Sequence, residues 1–461
     1  MKLRLTLYRA DWVLPVATSP IRGGEVLVGD DGVIAGVGVS GSQAVPPGAE
    51  TVELGEAALL PGLVNLHAHP ELTLLRGALD DLAFPDWIAR LVEVRGRGGG
   101  RPDDADAARW GVVEALRAGI TTMAATEASG AALTALREAG MRGVVYREVF
   151  GPDPNQADTA MADLRSAIAR LRAAETERVR VGISPHAPYS VSDALFAAAA
   201  EYARAEELPL AVHVAESADE EMLVGQGGGV FGERLRARRI ATPARARSPI
   251  ELLERLGVLR ARPLLIHCTQ ADAEDIRIIA AAGCAVAHCP TANAKLGHGV
   301  IPYPALREAG VVVGLGTDSV ASNNRMDLLE EARYAALLQR AAQRSAEPLP
   351  PPELLELCTL AGARALGLDH RIGTLEVGKD ADLCAVSFAG PHVRPVHDPL
   401  AALFHSARGS DVVLTAVAGR ICYRDGQLLT VHEKALRSRI DAAAERLRTE
   451  LRMNSPSAAS P

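Results

Sequence analysis

Residues 59–71 of this 461-residue chain read LLPGLVNLHAHPE, a short apolar run that ends in two histidines. His67 and His69 are spaced i, i+2, so on a strand both imidazoles lie on the same face. One metal ion could then bind both side chains at one strand end. Surface histidines after a buried strand give the same pattern, and this stretch alone leaves both interpretations open.

Eight apolar runs from residue 59 onward alternate with segments of helical character. They read LLPGLVNLHAH, ITTMAATE, GVVYREVFG, VRVGISPHAP, LPLAVHVAES, PLLIHCTQ, CAVAHCPTAN and GVVVGLGTDS. The intervening segments carry helix start and stop signals, such as Asp103-Asp104 before and Gly119 after one of them. This alternation predicts the α/β class and a parallel (β/α)8 TIM barrel. A doubly wound sheet would also alternate, but no Gly-rich phosphate-binding motif follows the first run.

The segments on either side of the predicted barrel have strand character. We expect residues 1–58 and 369–430 to pair into one small β-sandwich, with the metal-dependent barrel, residues 59–368, inserted between them. Residues 431–461 predict a closing helix followed by a disordered tail.

Composition excludes several classes of protein. A formal net charge of −8 argues against a nucleic-acid-binding surface. No uncharged run approaches 18 apolar residues, so no membrane-spanning helix is expected, and the charged N-terminal stretch does not resemble a signal peptide. The six cysteines are scattered without zinc-finger spacing, as in reduced cytoplasmic proteins. We expect a cytoplasmic protein that binds a small-molecule substrate, with no nucleic-acid or membrane partner; formation of a homo-oligomer is left open.

Residues able to bind a metal or transfer a proton recur where the predicted strands end. They are His67, His69, Glu127, Glu148, His186, His213, Glu216, His267, His288 and Asp318. Six of the chain's 12 histidines belong to this set, and a (β/α)8 barrel carries its chemistry at the carboxyl ends of its strands. A single histidine at such an end is commonly a packed core residue, but the set as a whole indicates a metal site.

Four of these residues supply the nitrogen and oxygen ligands that a catalytic metal needs: His67, His69, His213 and Asp318. None is a thiolate, which suits one Zn2+ per chain, or alternatively Fe2+, holding an activated water.

Three residues are candidates for catalysis. Glu216 follows His213 by three residues, close to the metal but free to carry protons between water and substrate. Asp318 can share that work by accepting a proton from the water, and His267 could polarise or orient the attacking oxygen. An acidic residue after a strand can instead cap the next helix, which is the alternative for Glu216.

Six motifs of this chain resemble those of the amidohydrolase superfamily. They are NLHAHPELTLLRG, SPHAPYS, HVAES, IHC, CPTANAKLGHG and GTDSVASNN. More narrowly, they resemble its zinc-dependent deaminase and chlorohydrolase branch, which acts on purines, cytosine, guanine and s-triazines. The resemblance covers nearly the whole chain. It implies the metal ligands and catalytic residues named above, with His186 in contact with the substrate ring.

The expected substrate is an adenine-type ring, deaminated by hydrolysis. Glu71, Arg147 and Glu148 depart from the adenosine-type pattern, so with His186 they are the candidate substrate-binding residues. HPEL after the metal pair, FPDWIARLVEVRGR and SPHAPYSVS resemble deaminases of 6-amino-6-deoxyfutalosine, an intermediate of an alternative menaquinone biosynthesis route. Adenosine, 5′-methylthioadenosine and S-adenosylhomocysteine remain alternatives, as does an s-triazine-type chlorohydrolase. A family member without catalysis is disfavoured because every expected ligand is present.

Two Gly- and Arg-rich segments, residues 95–101 and 225–248, are predicted to be flexible insertions on the catalytic face. A lid role is one hypothesis, with Arg234, Arg236, Arg238 and Arg239 meeting an anionic substrate group. A solvated loop is the alternative.

Overall fold

The computed structural model describes residues 5–43, 48–95 and 101–453. Its strands are β1 (Thr6–Val13), β2 (Ile21–Val28), β3 (Ile34–Val39), β4 (Glu50–Glu53), β5 (Ala57–Pro61), β6 (Leu63–Ala68), β7 (Ile120–Glu127), β8 (Arg142–Val149), β9 (Val179–Pro185), β10 (Ala211–Val214), β11 (Leu264–His267), β12 (Ala285–His288), β13 (Val313–Leu315), β14 (Leu383–Ser387), β15 (Val412–Val417), β16 (Arg420–Arg424) and β17 (Gln427–Leu428). Its α-helices are α1 (Phe84–Arg95), α2 (Asp104–Arg117), α3 (Ala131–Ala139), α4 (Ala157–Arg172), α5 (Asp193–Ala205), α6 (Ala218–Gln226), α7 (Gly229–Ala237), α8 (Pro249–Arg255), α9 (Ala273–Ala282), α10 (Pro290–Lys295), α11 (Tyr303–Glu308), α12 (Leu328–Gln343), α13 (Pro351–Cys358), α14 (Leu360–Ala365), α15 (Pro399–His405) and α16 (Glu433–Met453).

Strands β6 to β13 form two parallel four-stranded sheets, in the order β6-β7-β8-β9 and β10-β11-β12-β13. Each of the eight predicted runs contains one of these strands, which confirms the α/β class with parallel strands. Single parallel bridges, Ile183 with Leu210 and Ala68 with Asp318, connect the two sheets on both sides. The eight strands therefore close into a ring.

Glycine allows the last strand of the ring to approach the first. A Cβ atom at Gly316 would lie 2.8 Å from the Cβ of His67, closer than side chains tolerate. With no side chain there, the backbone N–H of Asp318 donates to the carbonyl of His67 at 2.9 Å. This contact places Asp318 beside the two histidines of the first strand.

The segments before and after the ring form one nine-stranded sheet, in the order β17-β16-β15-β14-β5-β1-β2-β3, with β4 paired to β1. The N- and C-terminal segments meet where β5 and β14 pair antiparallel. The expected association of these segments is present, but as a single hydrogen-bonded sheet, and a sandwich of two sheets is not confirmed. The proposed boundary at residue 58 falls inside β5, and the domain bounds stay a prediction.

A separate apolar cluster lies over the catalytic face of the ring, and we call it the cover. Its buried members include Leu72, Leu75, Phe84, Trp87, Tyr189, Phe231 and Leu447. They come from α1, α7, the closing helix α16 and the connections after β6 and β9. Across the described ranges, no helix has the length and apolar character needed to cross a membrane.

The two predicted flexible insertions have different outcomes. Residues 229–237 form α7, with Phe231 buried in the cover, so the expectation of one long flexible segment over 225–248 is wrong there. A buried aromatic side chain gives this Gly- and Arg-rich sequence a reason to order. Residues 96–100 of the other insertion, and the predicted tail at 454–461, lie outside the described residues.

Candidate metal and catalytic site

Three histidines from two strands converge at one end of the ring. His67, His69 and His213 each offer a ligand atom, and these atoms lie within 4.8 Å of one another. The Nε2 atoms of His67 and His213 are 3.2 Å apart. His69 is buried, and its Nδ1 has no hydrogen-bond partner among the described residues. His67 lies in β6 and His69 is the first residue after it, and the i, i+2 spacing at this strand end brings the two rings together as the sequence predicts.

Asp318 completes this group from the connection after β13. Its Oδ1 lies 3.2 Å from Nε2 of His67 and 3.6 Å from Nε2 of His69, while Ser322 Oγ donates to its Oδ2 at 2.7 Å. Burial opposes ionisation, but the hydrogen bond from His67 holds the pKa of Asp318 well below its usual range. Burial lowers the pKa of His67 to about 4. Neutral imidazoles beside an ionised carboxylate form the donor set that a divalent cation prefers.

Hydrogen bonds on the far side of the rings orient two of the histidines. Nδ1 of His67 lies 3.2 Å from Thr126 Oγ1, and Nδ1 of His213 lies 3.1 Å from the carbonyl oxygen of His186. Partners at Nδ1 fix the ring orientation and leave Nε2 facing the group.

Glu216 lies beside this group and is held separately from it. Its backbone N–H donates to Glu220 Oε2 at 2.8 Å. Its Oε1 is 3.5 Å from His267 Nε2 and 3.4 Å from His298 Nε2, and Tyr189 OH is 3.5 Å from its Oε2. Burial would raise the pKa of Glu216, but the charge of His267 and then the neighbouring His298 imidazole outweigh burial and lower this pKa to about 2. The carboxylate is therefore ionised and able to accept a proton.

His267 is in a strained conformation at the end of β11. Its φ is +75°, in the left-handed region that non-glycine residues adopt rarely and mainly at functional sites. Its Nδ1 lies 2.9 Å from Asn293 Oδ1, and its Nε2 faces Glu216. Burial lowers the pKa of His267.

A second wall of the site carries two buried carboxylates, Glu71 and Glu148. Glu71 Oε1 is 3.4 Å from an Arg95 guanidinium nitrogen, yet neither carboxylate oxygen has a hydrogen-bond partner among the described residues. Glu148 Oε1 is likewise unpartnered, 4.0 Å from Nε2 of His186, whose Nδ1 lies 2.7 Å from Ser190 Oγ. Burial raises the pKa of both glutamates. Buried acceptors without donors are costly, so this wall has unused capacity for hydrogen bonds.

Glu148, His186 and His213 form a second group whose ligand atoms lie within 4.8 Å of one another. It shares His213 with the first group, so the two groups are not independent metal sites. The first is the better candidate because it also has Asp318.

Two of the strand-end residues considered in the sequence have other contacts. Arg147 precedes Glu148 on β8, so the two side chains lie on opposite faces of the strand, and an Arg147 guanidinium N–H donates to the Glu148 carbonyl at 3.1 Å. Glu127 accepts the backbone N–H groups of Ala131 and Ala132, so it caps α3. No described contact joins Arg147 to the histidine group, and its substrate-binding role stays a prediction.

Two of the four arginines that the anion hypothesis names, Arg234 and Arg236, have partners within the protein. Arg234 bonds to the Pro85 carbonyl and, at 2.7 Å, to Asp86 Oδ1 on α1. Arg236 donates to the Gly227 carbonyl at 2.7 Å. Both guanidinium groups therefore have acceptors without a bound anion.

Sequence reasoning missed His298 and Tyr189, which both reach Glu216. Each lies inside a motif already quoted, CPTANAKLGHG and SPHAPYS. Neither is at a strand end, and attention to strand ends alone passed over them.

The Amidohydrolase family model matches residues 58–422. A 5-methylthioadenosine/S-adenosylhomocysteine deaminase of Desulforudis audaxviator is 35% identical over 452 residues, covering 96% of this chain and 98% of the relative. An adenosine deaminase structure from Xanthomonas campestris, with bound zinc, matches with a TM-score of 0.85 at 30% identity, covering 96% of this chain and 98% of that one. A Helicobacter pylori aminofutalosine deaminase in complex with methylthio-coformycin matches with a TM-score of 0.74 at 21% identity, covering 90% and 99%, and shows the fold alone. The chain belongs to the amidohydrolase family.

Proposed function

We propose that this chain removes the 6-amino group from the adenine ring of a nucleoside by hydrolysis. The observation that carries the proposal is the pairing of a three-histidine, one-aspartate group with a separate ionised carboxylate, Glu216, at the same strand ends. Relatives of nearly full length that are named as deaminases of 5′-substituted adenosines support the same chemistry.

The donor set fits one Zn2+ per chain. His67, His69, His213 and Asp318 would hold the ion, because they combine three imidazole nitrogens with one carboxylate and the Nδ1 of His69 is buried without a partner. When bound, such an ion acts as a Lewis acid and lowers the pKa of water towards neutrality. Zinc bound in the Xanthomonas campestris structure supports this choice of metal.

The protein residues would then handle protons and orientation. Glu216 accepts a proton from the attacking water and delivers it to the ring nitrogen next to C6. His267, whose Nε2 faces Glu216 Oε1, orients the attacking oxygen, and Asp318 accepts the second proton of the water. The C6–O bond forms first, and this second proton then passes to the amino nitrogen as the C6–N bond breaks, so ammonia leaves and a hypoxanthine ring remains.

We propose that His186, Glu71 and Glu148 contact the nucleoside. The unpartnered carboxylate oxygens of Glu71 and Glu148 need hydrogen-bond donors, and the 6-amino group and the sugar hydroxyl groups of the nucleoside are such donors. The cover excludes water from the bound ring, which strengthens these contacts.

Among nucleosides, 5′-methylthioadenosine and S-adenosylhomocysteine are our first candidates, ahead of the 6-amino-6-deoxyfutalosine suggested by the sequence motifs. We place these two first because a relative named as a deaminase of both is about one-third identical to this chain over nearly its whole length. A basic loop gives little support to the futalosine compound, since Arg234 and Arg236 have acceptors within the protein.

The test is a steady-state assay of ammonia release from 5′-methylthioadenosine, S-adenosylhomocysteine, adenosine and 6-amino-6-deoxyfutalosine, with chloride release from a chlorinated s-triazine in parallel. We expect the highest kcat/KM for one of the first two. Greater efficiency on the futalosine compound would reverse the order but keep the chemistry. Chloride release without ammonia release would contradict deamination.

A further inference from the structure

His298 is a buried histidine beside Glu216 that neither the metal group nor the proposed proton transfer uses. It is 7% exposed, and its Nε2 lies 3.4 Å from Glu216 Oε1. This nitrogen is fully buried and has no hydrogen bond of ordinary geometry among the described residues. The Glu216 carboxylate is the acceptor it faces.

The backbone around His298 fixes the direction of its side chain. Gly297 and Gly299, on either side of it, have φ values of +75° and +92°, a left-handed conformation that favours glycine. The His298 N–H donates to the Asn293 carbonyl at 2.8 Å, and its own carbonyl accepts from Gln270 Nε2 at 2.7 Å. The loop therefore holds the imidazole towards the carboxylate.

Electrostatics decides which form of the imidazole suits this position. If Nε2 carried no hydrogen, its lone pair would face an ionised carboxylate inside a buried site, which is unfavourable. With a hydrogen on Nε2, the ring donates to Glu216 while remaining neutral. In this form the 3.4 Å contact joins a ring N–H to a charged acceptor, and interactions with charged acceptors are stronger than those with neutral ones.

The same ring also contacts the cover. The centroids of His298 and Phe84 are 4.5 Å apart with an interplanar angle of 88°, an edge-to-face arrangement. Phe84 begins α1, so His298 touches the proton carrier with one atom and the cover with its ring. These two contacts make separable predictions.

We propose that His298 is a positioning residue that orients the Glu216 carboxylate through an Nε2–H donor. The inference rests on the proposed function, in which Glu216 moves the proton. Without the donor, the backbone of Glu216 stays in place, but its carboxylate is no longer held in the orientation that faces the reacting ring.

The experiment compares two substitutions, each of which keeps one of the two contacts of His298 and removes the other. His298→Phe keeps an aromatic ring against Phe84 and removes the donor. His298→Gln loses the ring but places an amide N–H near the position of Nε2. Kinetic constants on the best nucleoside, zinc content, melting temperature and a crystal structure of each zinc-loaded variant are measured.

We expect His298→Phe to lower kcat about tenfold, the effect of a lost hydrogen bond to a charged group, with KM and zinc content unchanged. His298→Gln should recover most of kcat, and Glu216 should be displaced only in the Phe variant. The reverse pattern, with Phe active and Gln impaired, would assign His298 to packing of the cover and overturn the proposal. Equal loss in both with a lower melting temperature would also overturn it.

The crystal structures separate this inference from the proposed function. If the wild-type enzyme deaminates no nucleoside of the panel, the proposed function fails, while displacement of Glu216 in the Phe variant alone still supports positioning. If the wild type is an active deaminase and Glu216 does not move in either variant, the positioning role fails by itself.

Discussion

Two groups of buried charged residues in this molecule differ in how completely they are paired. At the amino end of β8, the Arg142 guanidinium contacts Asp382 at 3.1 Å and Asp380 at 2.7 Å, and Asp382 also accepts the Ala418 N–H at 2.8 Å. Near the carboxyl end of the same strand, Glu148 has a buried oxygen with no partner. One strand thus joins a satisfied ion cluster to an unsatisfied carboxylate.

The difference indicates what each group is for. The Arg142 cluster connects the ring to the segment that precedes β14, so its hydrogen bonds form on folding and stabilise the junction. Glu71 lies 3.4 Å from Arg95, but neither its oxygens nor Oε1 of Glu148 make a hydrogen bond among the described residues, and their burial carries a cost. A buried acceptor without a donor is typical of binding sites, where the ligand supplies the donor.

The largest expected effect is loss of the metal site. His213→Ala removes one of three clustered imidazoles, and we expect zinc content and deaminase activity to fall together. The fall in activity should exceed the 10- to 100-fold that is usual for losing a residue outside the ligand set. Metal analysis and initial rates measure it, with His392→Ala, on a histidine paired to Asp411, as control. Full zinc content in His213→Ala would contradict its assignment as a ligand.

Breaking the Arg142 cluster should lower the stability of the fold without changing substrate binding. Arg142→Leu leaves the buried Asp382 without its arginine partner, while Asp380 keeps Arg371 at 2.8 Å; breaking a buried pair in this way typically costs about 3–5 kcal/mol. Chemical denaturation should show that loss, while KM of the folded fraction stays unchanged. Arg394→Leu, which breaks the half-exposed pair with Glu56, should cost under about 1 kcal/mol. Equal losses of stability in Arg142→Leu and Arg394→Leu would show that the buried cluster contributes no more than a half-exposed ion pair.

Glu216 belongs to neither class, since its carboxylate has neighbours and its proposed role is proton transfer. Glu216→Gln should keep zinc and lower kcat by about 10² or more, the usual scale for a general acid–base group. Metal analysis beside kcat tests both halves. Loss of zinc in this variant would show that the carboxylate is a ligand and not a proton carrier.

For Glu148 we expect the opposite result, a change in substrate binding with little change in stability. Glu148→Gln removes a buried charge without breaking a described hydrogen bond of Oε1, so the free energy of unfolding should change by less than about 1 kcal/mol. KM for the nucleoside should rise about tenfold, as expected for one lost hydrogen bond to a charged group. Denaturation and steady-state kinetics together decide it. A large loss of stability with an unchanged KM would make Glu148 structural.

Much of the site was predictable because strand ends in a ring converge. The eight apolar runs and the i, i+2 spacing were sufficient to predict that His67 and His69 meet His213 and Asp318. His298 stands between two glycines in a motif visible in the sequence, but its approach to Glu216 depends on how the loop after α10 turns, which the strand ends do not reveal. The face of β8 that carries Arg147 was not predictable either, because alternation along the strand fixes it only once the register of β8 is known.

The flanking strands show the same limit at the scale of a domain. Their strand character and turns were readable, but the pairing of β5 with β14 involves residues more than 300 positions apart. Such a long-range register depends on packing that no short window contains. For the same reason a single sheet and a sandwich were not distinguishable in the sequence.

The smallest expected effect concerns the arginines of the 225–248 segment. Arg234 joins α7 to α1 through Asp86, and both side chains are more than one-third exposed, so the pair should contribute less than about 1 kcal/mol. Arg234→Ala should therefore raise KM at most about fivefold by loosening the cover, and equally for 5′-methylthioadenosine and for a nucleoside that bears a carboxylate. Arg236→Ala, which breaks contacts within its own segment, is the matched control. A rise in KM confined to the carboxylate-bearing nucleoside would mean that Arg234 leaves Asp86 to bind the anion, and it would restore the futalosine compound as the leading substrate.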